Sequence, residues 1–106
     1  MYELNQLEVA DSFLALHTAH GHLRPGADRA TITRRYELCE DLAQHLVEYA
    51  QAQHHDQGLT QHEVLRRCAA GLVSPGSDVS TPEAGWIVRR LAELEGWNDA
   101  IDITGT

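Results

Sequence analysis

The sequence predicts an all-α fold, a single domain of about four helices around one long central helix. Residues 31–53 place apolar side chains at alternating spacings of four and three, the pattern of a helix that packs on another helix. The other apolar stretches also repeat with helical spacing, and no strand pattern precedes residue 98. A chain of 106 residues is long enough to bury one ordinary core.

The first predicted helix runs from about Leu4 to His20. Its apolar side chains form two neighbouring rows, as in a helix with one broad buried face. The rows are Leu4, Leu7, Ala10, Leu14 and His17, and Val9, Phe13, Leu16 and His20. Gly21 is placed to end this helix, because glycine readily adopts the left-handed conformation that terminates helices.

The central helix is predicted over residues 31–53, with Asp28 or Thr31 as its N-terminal cap. At 1.5 Å per residue it is about 35 Å long, so the other elements have to pack on it. Its most regular row, which we call the seam, consists of Ile32, Tyr36, Cys39, Ala43, Leu46 and Ala50. A second row widens the apolar face and consists of Leu38, Leu42 and Tyr49.

Two shorter helices follow, each with a predicted capping box at its start: Thr60 with Glu63, and Ser80 with Glu83. The third helix is expected to bury Leu65, Cys68, Ala69 and Leu72. The fourth, from about Pro82 to Glu95, is expected to bury Ala84, Ile87, Val88, Leu91 and Leu94. Pro75 and Gly76 mark a turn between the two helices.

The end of the fourth helix is predicted at Gly96, with Trp97 folding back on Leu91 or Ala92 as the apolar partner of the cap. Residues 98–106 follow it. They alternate weakly, with Ile101 and Ile103 on one side. We expect them to form a short edge strand or a flexible tail.

The charge is strongly acidic. Sixteen acids stand against eight arginines and no lysine, which gives a net charge of −8. Nine acids and four arginines lie in residues 1–58, and five acids and four arginines in residues 59–97. Such a charge repels nucleic acid at long range. No signal-peptide pattern and no run of roughly 18 apolar residues is present, so we expect a soluble, cytoplasmic protein that does not enter membranes.

Residue types that carry out catalysis form no recognisable motif. The sequence has no Gly-x-Ser-x-Gly, Walker A, Rossmann or His-Glu-x-x-His pattern. An enzyme is therefore the less favoured hypothesis, and neither a catalytic residue nor a cofactor or small-molecule substrate is predicted. Cys39 and Cys68 are expected to be buried, reduced thiols. Asp41 and His45, four residues apart, are expected to form a surface ion pair.

The seven histidines are interpreted mainly as surface and helix-terminal residues. His17, His20, His54 and His55 fall in the last turn of a predicted helix, where imidazolium is favoured. A metal site is not predicted, because His17 and His20 have metal-ligand spacing but lack a third ligand at a recognisable offset. A pH switch is the alternative, since protonation of all seven would change the net charge from −8 to −1.

Residues 59–106 suggest an alternative function. Their order is a capped helix with the text LTQHEVL, a connector, a helix ending in RRLAELEGW and a tail, which resembles winged helix-turn-helix domains. The resemblance covers under half of the chain and implies DNA binding. The residues that would face phosphates or the groove are Arg66, Arg67, Arg89 and Arg90. The acidic charge makes this the alternative and not the first choice.

The seam provides the preferred functional hypothesis. Ala43 and Ala50 are small and seven residues apart, so they allow close approach by another helix, either from the same chain or from a second copy. We predict an acidic helical protein-binding or regulatory module, most simply a homodimer, while mimicry of nucleic acid is a further alternative for an acidic chain. The candidate interface consists of Ile32, Tyr36, Cys39, Ala43, Leu46, Ala50 and Trp86.

Overall fold

The computed structural model describes residues 9–19, 22–23 and 28–97. Their elements are helix α1 (Asp11–Leu14), a 3₁₀ turn (Ala15–His17), strands β1 (Thr18–Ala19) and β2 (His22–Leu23), and helices α2 (Arg29–His55), α3 (Gln61–Leu72) and α4 (Thr81–Glu95). The predicted all-α helical class is confirmed. The chain divides into two units, Met1–Leu38 and Cys39–Thr106, with the boundary inside α2. A single domain over residues 1–106 stays a prediction.

The first helix is much shorter than the predicted Leu4–His20. Among the described residues, α1 begins at Asp11, because Ala10 has an extended backbone with ψ 141°. The α-helix ends at Leu14, and a 3₁₀ turn continues only to His17. Residues 4–8 and 20 lie outside the described part. The prediction of a helix through His20 is therefore wrong, because histidines were counted as apolar positions that extended the pattern.

Thr18 supplies a physical reason for this early end. Its backbone is extended, with φ −120° and ψ 154°, and its hydroxyl donates to the Ala15 carbonyl at 3.3 Å. A threonine hydroxyl that bonds to nearby backbone competes with continuation of a helix. The chain instead forms a two-residue antiparallel ladder, with Thr18 opposite Leu23 and Ala19 opposite His22. Gly21, the predicted terminator, lies outside the described residues.

Helix α2 confirms the predicted long helix and extends two residues beyond it at each end. Asp28 caps it: the backbone N–H of Thr31 donates to Asp28 Oδ1 at 2.8 Å, and that of Ile32 to the Asp28 carbonyl at 3.0 Å. The bond from the Thr31 backbone is the main cause of the lowered pKa of Asp28. Gly58, at φ 73°, takes the left-handed conformation after the helix. None of the described helices is long and apolar enough to cross a membrane.

In the second unit, α3 and α4 pack against the part of α2 that follows Leu38, around one core. Its members are Ala50, Val64, Leu65, Cys68, Val88, Leu91, Ala92 and Trp97. Leu46, Val47, Leu59, Ala69 and Leu72 pack against its edge. The predicted buried faces of α3 and α4 are confirmed, although Ala69, Leu72 and Leu94 are only half-buried. Complete burial of a leucine such as Leu65 or Leu91 contributes about 2 kcal/mol to stability.

The caps of α3 and α4 differ from each other. At α4 the predicted box is complete: the Glu83 N–H donates to Ser80 Oγ at 3.2 Å, and the Ser80 N–H to Glu83 Oε1 at 2.9 Å. At α3 the Glu63 N–H donates to Thr60 Oγ1 at 3.0 Å, but the Thr60 N–H does not donate in return to the Glu63 carboxylate. The prediction of a capping box at Thr60 was therefore half right. The carboxylate is held instead by arginines of α3, described below.

Both predicted glycine turns are present. The Ser77 N–H donates to the Ser74 carbonyl at 3.1 Å across Pro75 and Gly76, and Gly76 has φ 88°, as the third position of a type II turn requires. Gly96, at φ 77°, ends α4, and the Trp97 N–H donates to the Ala92 carbonyl at 2.8 Å. The buried Trp97 ring joins the same core as Ala92, so the predicted apolar cap is confirmed.

Candidate protein-binding surface

Most of the predicted interface is buried within the chain itself. Cys39, Ala43 and Ala50 have no exposed surface, and Ile32 and Trp86 are also buried. Tyr36 and Leu46 are half-buried. In the first unit the Tyr36 ring lies edge-on to buried Phe13, with the ring centroids 5.4 Å apart. The close approach expected at the alanines is used inside the chain at Ala50, which contributes to the core with α3 and α4.

A different face of α2 is exposed. Tyr49 is 47% exposed and is one of two large exposed hydrophobic residues among those described, the other being Val73 in the α3–α4 connector. Leu42, two helical turns before Tyr49, is half-buried, and exposed His45 lies between them on the same side of the helix. We call Leu42, His45 and Tyr49, with the exposed acids Asp41 and Glu48 beside them, the α2 flank. The second row of the sequence, and not the seam, contributes this surface.

The α2 flank is acidic, and its acids differ from the glutamates of α3 and α4, whose carboxylates accept hydrogen bonds. Asp41 lies 3.5 Å from His45 Nδ1, and this ring nitrogen also lies 2.8 Å from the Asp41 carbonyl, which confirms the predicted surface contact. Both side chains are well exposed, so the pair contributes little to stability. Within the described part of the chain, no arginine pairs with Asp41 or Glu48. The flank therefore presents negative charge beside an aromatic ring.

The arginines proposed for DNA are mostly engaged by glutamates. Glu63 receives Arg66 through both carboxylate oxygens, at 3.0 and 2.7 Å, and Arg67 through Oε2 at 2.8 Å. These hydrogen bonds, that from Arg66 first, lower the pKa of Glu63 to about 2. One carboxylate thus neutralises much of the charge that two arginines would offer to a phosphate. Sequence spacing of three and four along a helix signals these contacts.

Arg90 forms the link between α2 and α4. Its Nε donates to Glu40 Oε1 at 2.8 Å, and its second terminal nitrogen donates to Oε2 at 3.0 Å. Glu93 also accepts from Arg90, and Gln44 donates to Glu40 at 2.8 Å. Partial burial acts to raise the pKa of Glu40, but the bonds from Arg90 and Gln44 outweigh it and the pKa is lowered. No local sequence pattern connects residues fifty positions apart, so this pair, which we call the Glu40–Arg90 clamp, was not predicted from the sequence. Arg89 is exposed.

The described histidines and cysteines lie apart from one another, except for the neighbours His54 and His55. In the described residues, no three His, Cys, Asp or Glu side chains group as metal ligands. His54 and His55 lie in the last turn of α2, as predicted, and His54 Nδ1 donates to the Leu59 carbonyl at 2.7 Å. The His54 and Trp97 rings meet edge to face with centroids 5.2 Å apart. Burial, with a further effect of the charge on Glu95, raises the pKa of the Cys68 thiol to about 11.

Three groups of residues bear on function. The α2 flank is exposed, acidic and aromatic, three of the four candidate arginines are paired, and both thiols are buried. Comparison of the chain with protein-family models, with curated proteins and with solved structures found no match. Function is therefore inferred from the chain's own residues.

Proposed function

We propose that the chain is an acidic helical protein-binding or regulatory module without catalytic activity, and that it binds its partner through the α2 flank. The observation that supports this most directly is the 47% exposure of Tyr49 on a helix whose other apolar row is turned inward. Tyrosine is enriched at energetically dominant interface positions, because it buries much area with few rotatable bonds and keeps a polar tip. Half-buried Leu42 extends the apolar part of the surface.

A homodimer is the simplest form of the proposal that the sequence suggests, and it requires a different surface from the seam. Ala43 and Ala50 are fully covered by the chain, so a second copy could reach them only if the core opened. The α2 flank is the exposed alternative. Solution mass tests whether the chain is a homodimer, because a dimer has twice the 11.8 kDa of the chain.

DNA binding through residues 59–106 is the second candidate function. Its support is the resemblance of that segment to winged helix-turn-helix domains together with exposed Arg89. The pairing of Arg66 and Arg67 with Glu63, and of Arg90 with Glu40, reduces the positive charge available for phosphate. Residues 98–106, which the resemblance assigns to the wing, lie outside the described part of the chain. The protein-binding proposal needs no such release of paired side chains.

Photo-cross-linking tests the proposal. A benzophenone amino acid in place of Tyr49 keeps an aromatic ring on the α2 flank, and the same residue in place of Val73 is the matched control, since Val73 is exposed to nearly the same extent, 49%. In the cells that encode the protein, we expect a covalent protein adduct at position 49 and none at position 73. An absence of adduct at position 49, or equal adducts at both positions, contradicts a binding role for the flank.

A further inference from the structure

We infer that the α2 flank binds a cationic amphipathic helix, a segment with an apolar stripe and arginine or lysine beside it. The inference rests on the proposed function, because it takes the flank as the binding surface. It adds the chemical class of the partner.

Most acids on α3 and α4 are already bonded. Glu63 is bonded to Arg66 and Arg67, Glu93 to Arg90, and Glu95 accepts from Gln51 Nε2 at 3.0 Å. On α2, Glu40 is bonded to Arg90 on the side that faces α4. Three of the four arginines of α3 and α4 are thus paired with these glutamates.

Among the described residues, Asp41 and Glu48 of the α2 flank have no such cation. Asp41 meets only the imidazole of His45 among described side chains, and Glu48 is exposed two helical turns further on. The sequence contains no arginine or lysine between Tyr36 and Leu65. Carboxylates that no arginine neutralises, beside an exposed aromatic ring, favour a partner that supplies positive charge, because complementary charge speeds association and selects partners.

The spacing of the two acids on the α2 flank predicts the spacing of the cations on the partner helix. Asp41 and Glu48 are seven residues apart, about 10 Å along the helix axis, on one border of the Leu42–Tyr49 apolar pair. An antiparallel or parallel helix on this surface would match them with two cations seven residues apart. Its apolar stripe would cover Tyr49 and Leu42, as expected of recognition through an amphipathic helix.

A second copy of the flank does not meet this requirement. Residues 41–49 carry no arginine or lysine, so pairing two flanks gives Asp41 and Glu48 no cation except His45. The net charge of −8 also makes two copies repel each other at long range. Charge therefore favours a different, basic segment over self-association at this surface.

Two designed peptides of about 20 residues provide the probe, both with leucine at helical positions of one face, one with lysine and one with glutamate beside that face. We measure binding to the full chain by fluorescence anisotropy at low and moderate salt. We expect the lysine peptide to bind and the glutamate peptide not to bind. The Tyr49→Ala variant should weaken binding at both salts, while Val73→Ala, the matched control, should change it less than about twofold.

Two double variants, each removing two negative charges, test whether the acids of the α2 flank attract the lysine peptide. Asp41→Asn with Glu48→Gln should weaken the lysine peptide about fivefold at low salt and reduce its salt dependence. Asp11→Asn with Asp78→Asn makes the same change in net charge at exposed positions off the flank and should have less than about twofold effect. Equal effects of the two double variants, equal binding of the two peptides, or no binding of the lysine peptide overturns the inference.

The cross-link at position 49 separates this inference from the proposed function. A cross-linked partner segment with an apolar stripe flanked by arginine or lysine supports both. An acidic segment or a second copy of the chain overturns the cationic partner and leaves the protein-binding role in place. Absence of any adduct at position 49 removes the surface on which both depend.

Discussion

The two thiols, Cys39 and Cys68, are both buried, and burial limits the chemistry open to each. Cys39 has no exposed surface. Cys68, on α3, is 5% exposed and belongs to the core of the second unit. Only the thiolate is a nucleophile, and the pKa of Cys68, raised to about 11 by burial and by the charge of Glu95, keeps it protonated at neutral pH. The same physics that makes these residues good core members removes them from redox or catalytic chemistry in the folded state.

We expect neither thiol to react readily with a disulfide reagent at pH 8 in the folded chain, and both to react once urea unfolds it. For Cys68 the thiolate fraction at that pH is about one thousandth, so its rate should fall at least about 100-fold below that of an exposed thiol. Absorbance of the released thiolate of the reagent measures the rates, and the variants Cys39→Ser and Cys68→Ser assign them. Rapid reaction of the native chain would contradict the buried placement of whichever thiol it labels.

Helices α2 and α4 are determined largely by residues that lie near one another in the sequence. The apolar spacing of the seam predicts α2, and the caps at Ser80 and Gly96 set the two ends of α4, because each depends on residues within a few positions of one another. The prediction of a first helix through His20 was wrong because its apolar pattern is weak and the hydrogen bond of the Thr18 hydroxyl to the backbone competes with continuation of the helix. The predicted bond from the Thr60 N–H to the Glu63 carboxylate is also not formed, since two arginines on the same helix as Glu63 compete for its carboxylate.

The candidate site was predicted less well than the fold, for a physical reason. Periodicity identifies the apolar rows of α2, but it does not say which row the chain covers. The chain covers the small residues Cys39, Ala43 and Ala50, of which Ala50 packs in the core with α3 and α4, and leaves the bulkier Tyr49 exposed. Long-range partners of the Glu40–Arg90 kind have no local signal and need coordinates.

The Glu40–Arg90 clamp gives an element-scale prediction about acid stability. The pKa of Glu40 is lowered in the folded chain, so its contribution to the free energy of unfolding is present above the unfolded pKa, near 4.5, and is lost as the pH falls through the folded value. Glu40→Gln should therefore lower the free energy of unfolding by about 0.5–1 kcal/mol at pH 7, since both side chains are only partly exposed and the bond is bidentate.

Urea titrations at pH 7, 5, 4 and 3 measure this effect. The difference between the wild type and Glu40→Gln should shrink below about pH 4.5, as the wild-type carboxylate becomes protonated. Asp41→Asn is the matched control, because Asp41 is the next residue on α2 and is well exposed. A difference that is the same at pH 3 and pH 7 would show that the charge on Glu40 is not its source.

At the scale of the whole molecule, charge placement matters more than charge count. The net charge of −8 is spread over the sequence, but α3 and α4 carry arginines and glutamates that neutralise one another. On the α2 flank, Asp41 and Glu48 have no arginine partner among the described residues. The molecule thus offers a weakly charged helical pair on one side of its second unit and an acidic, aromatic strip on α2, and these two surfaces suit different partners.

This distribution predicts that the chain does not bind mixed-sequence duplex DNA, even at low ionic strength. Three of the four candidate arginines are paired, and the long-range field repels phosphate. Gel retardation at about 20 mM salt measures binding where electrostatic attraction is strongest. Glu63→Gln releases Arg66 and Arg67 from their carboxylate, and Glu48→Gln is the control with the same change in net charge. Retardation by the wild type that weakens steeply with salt, and that Arg66→Ala and Arg67→Ala reduce, would favour the winged-helix interpretation over the protein-binding proposal, because phosphate binding would then have outcompeted Glu63 for both arginines.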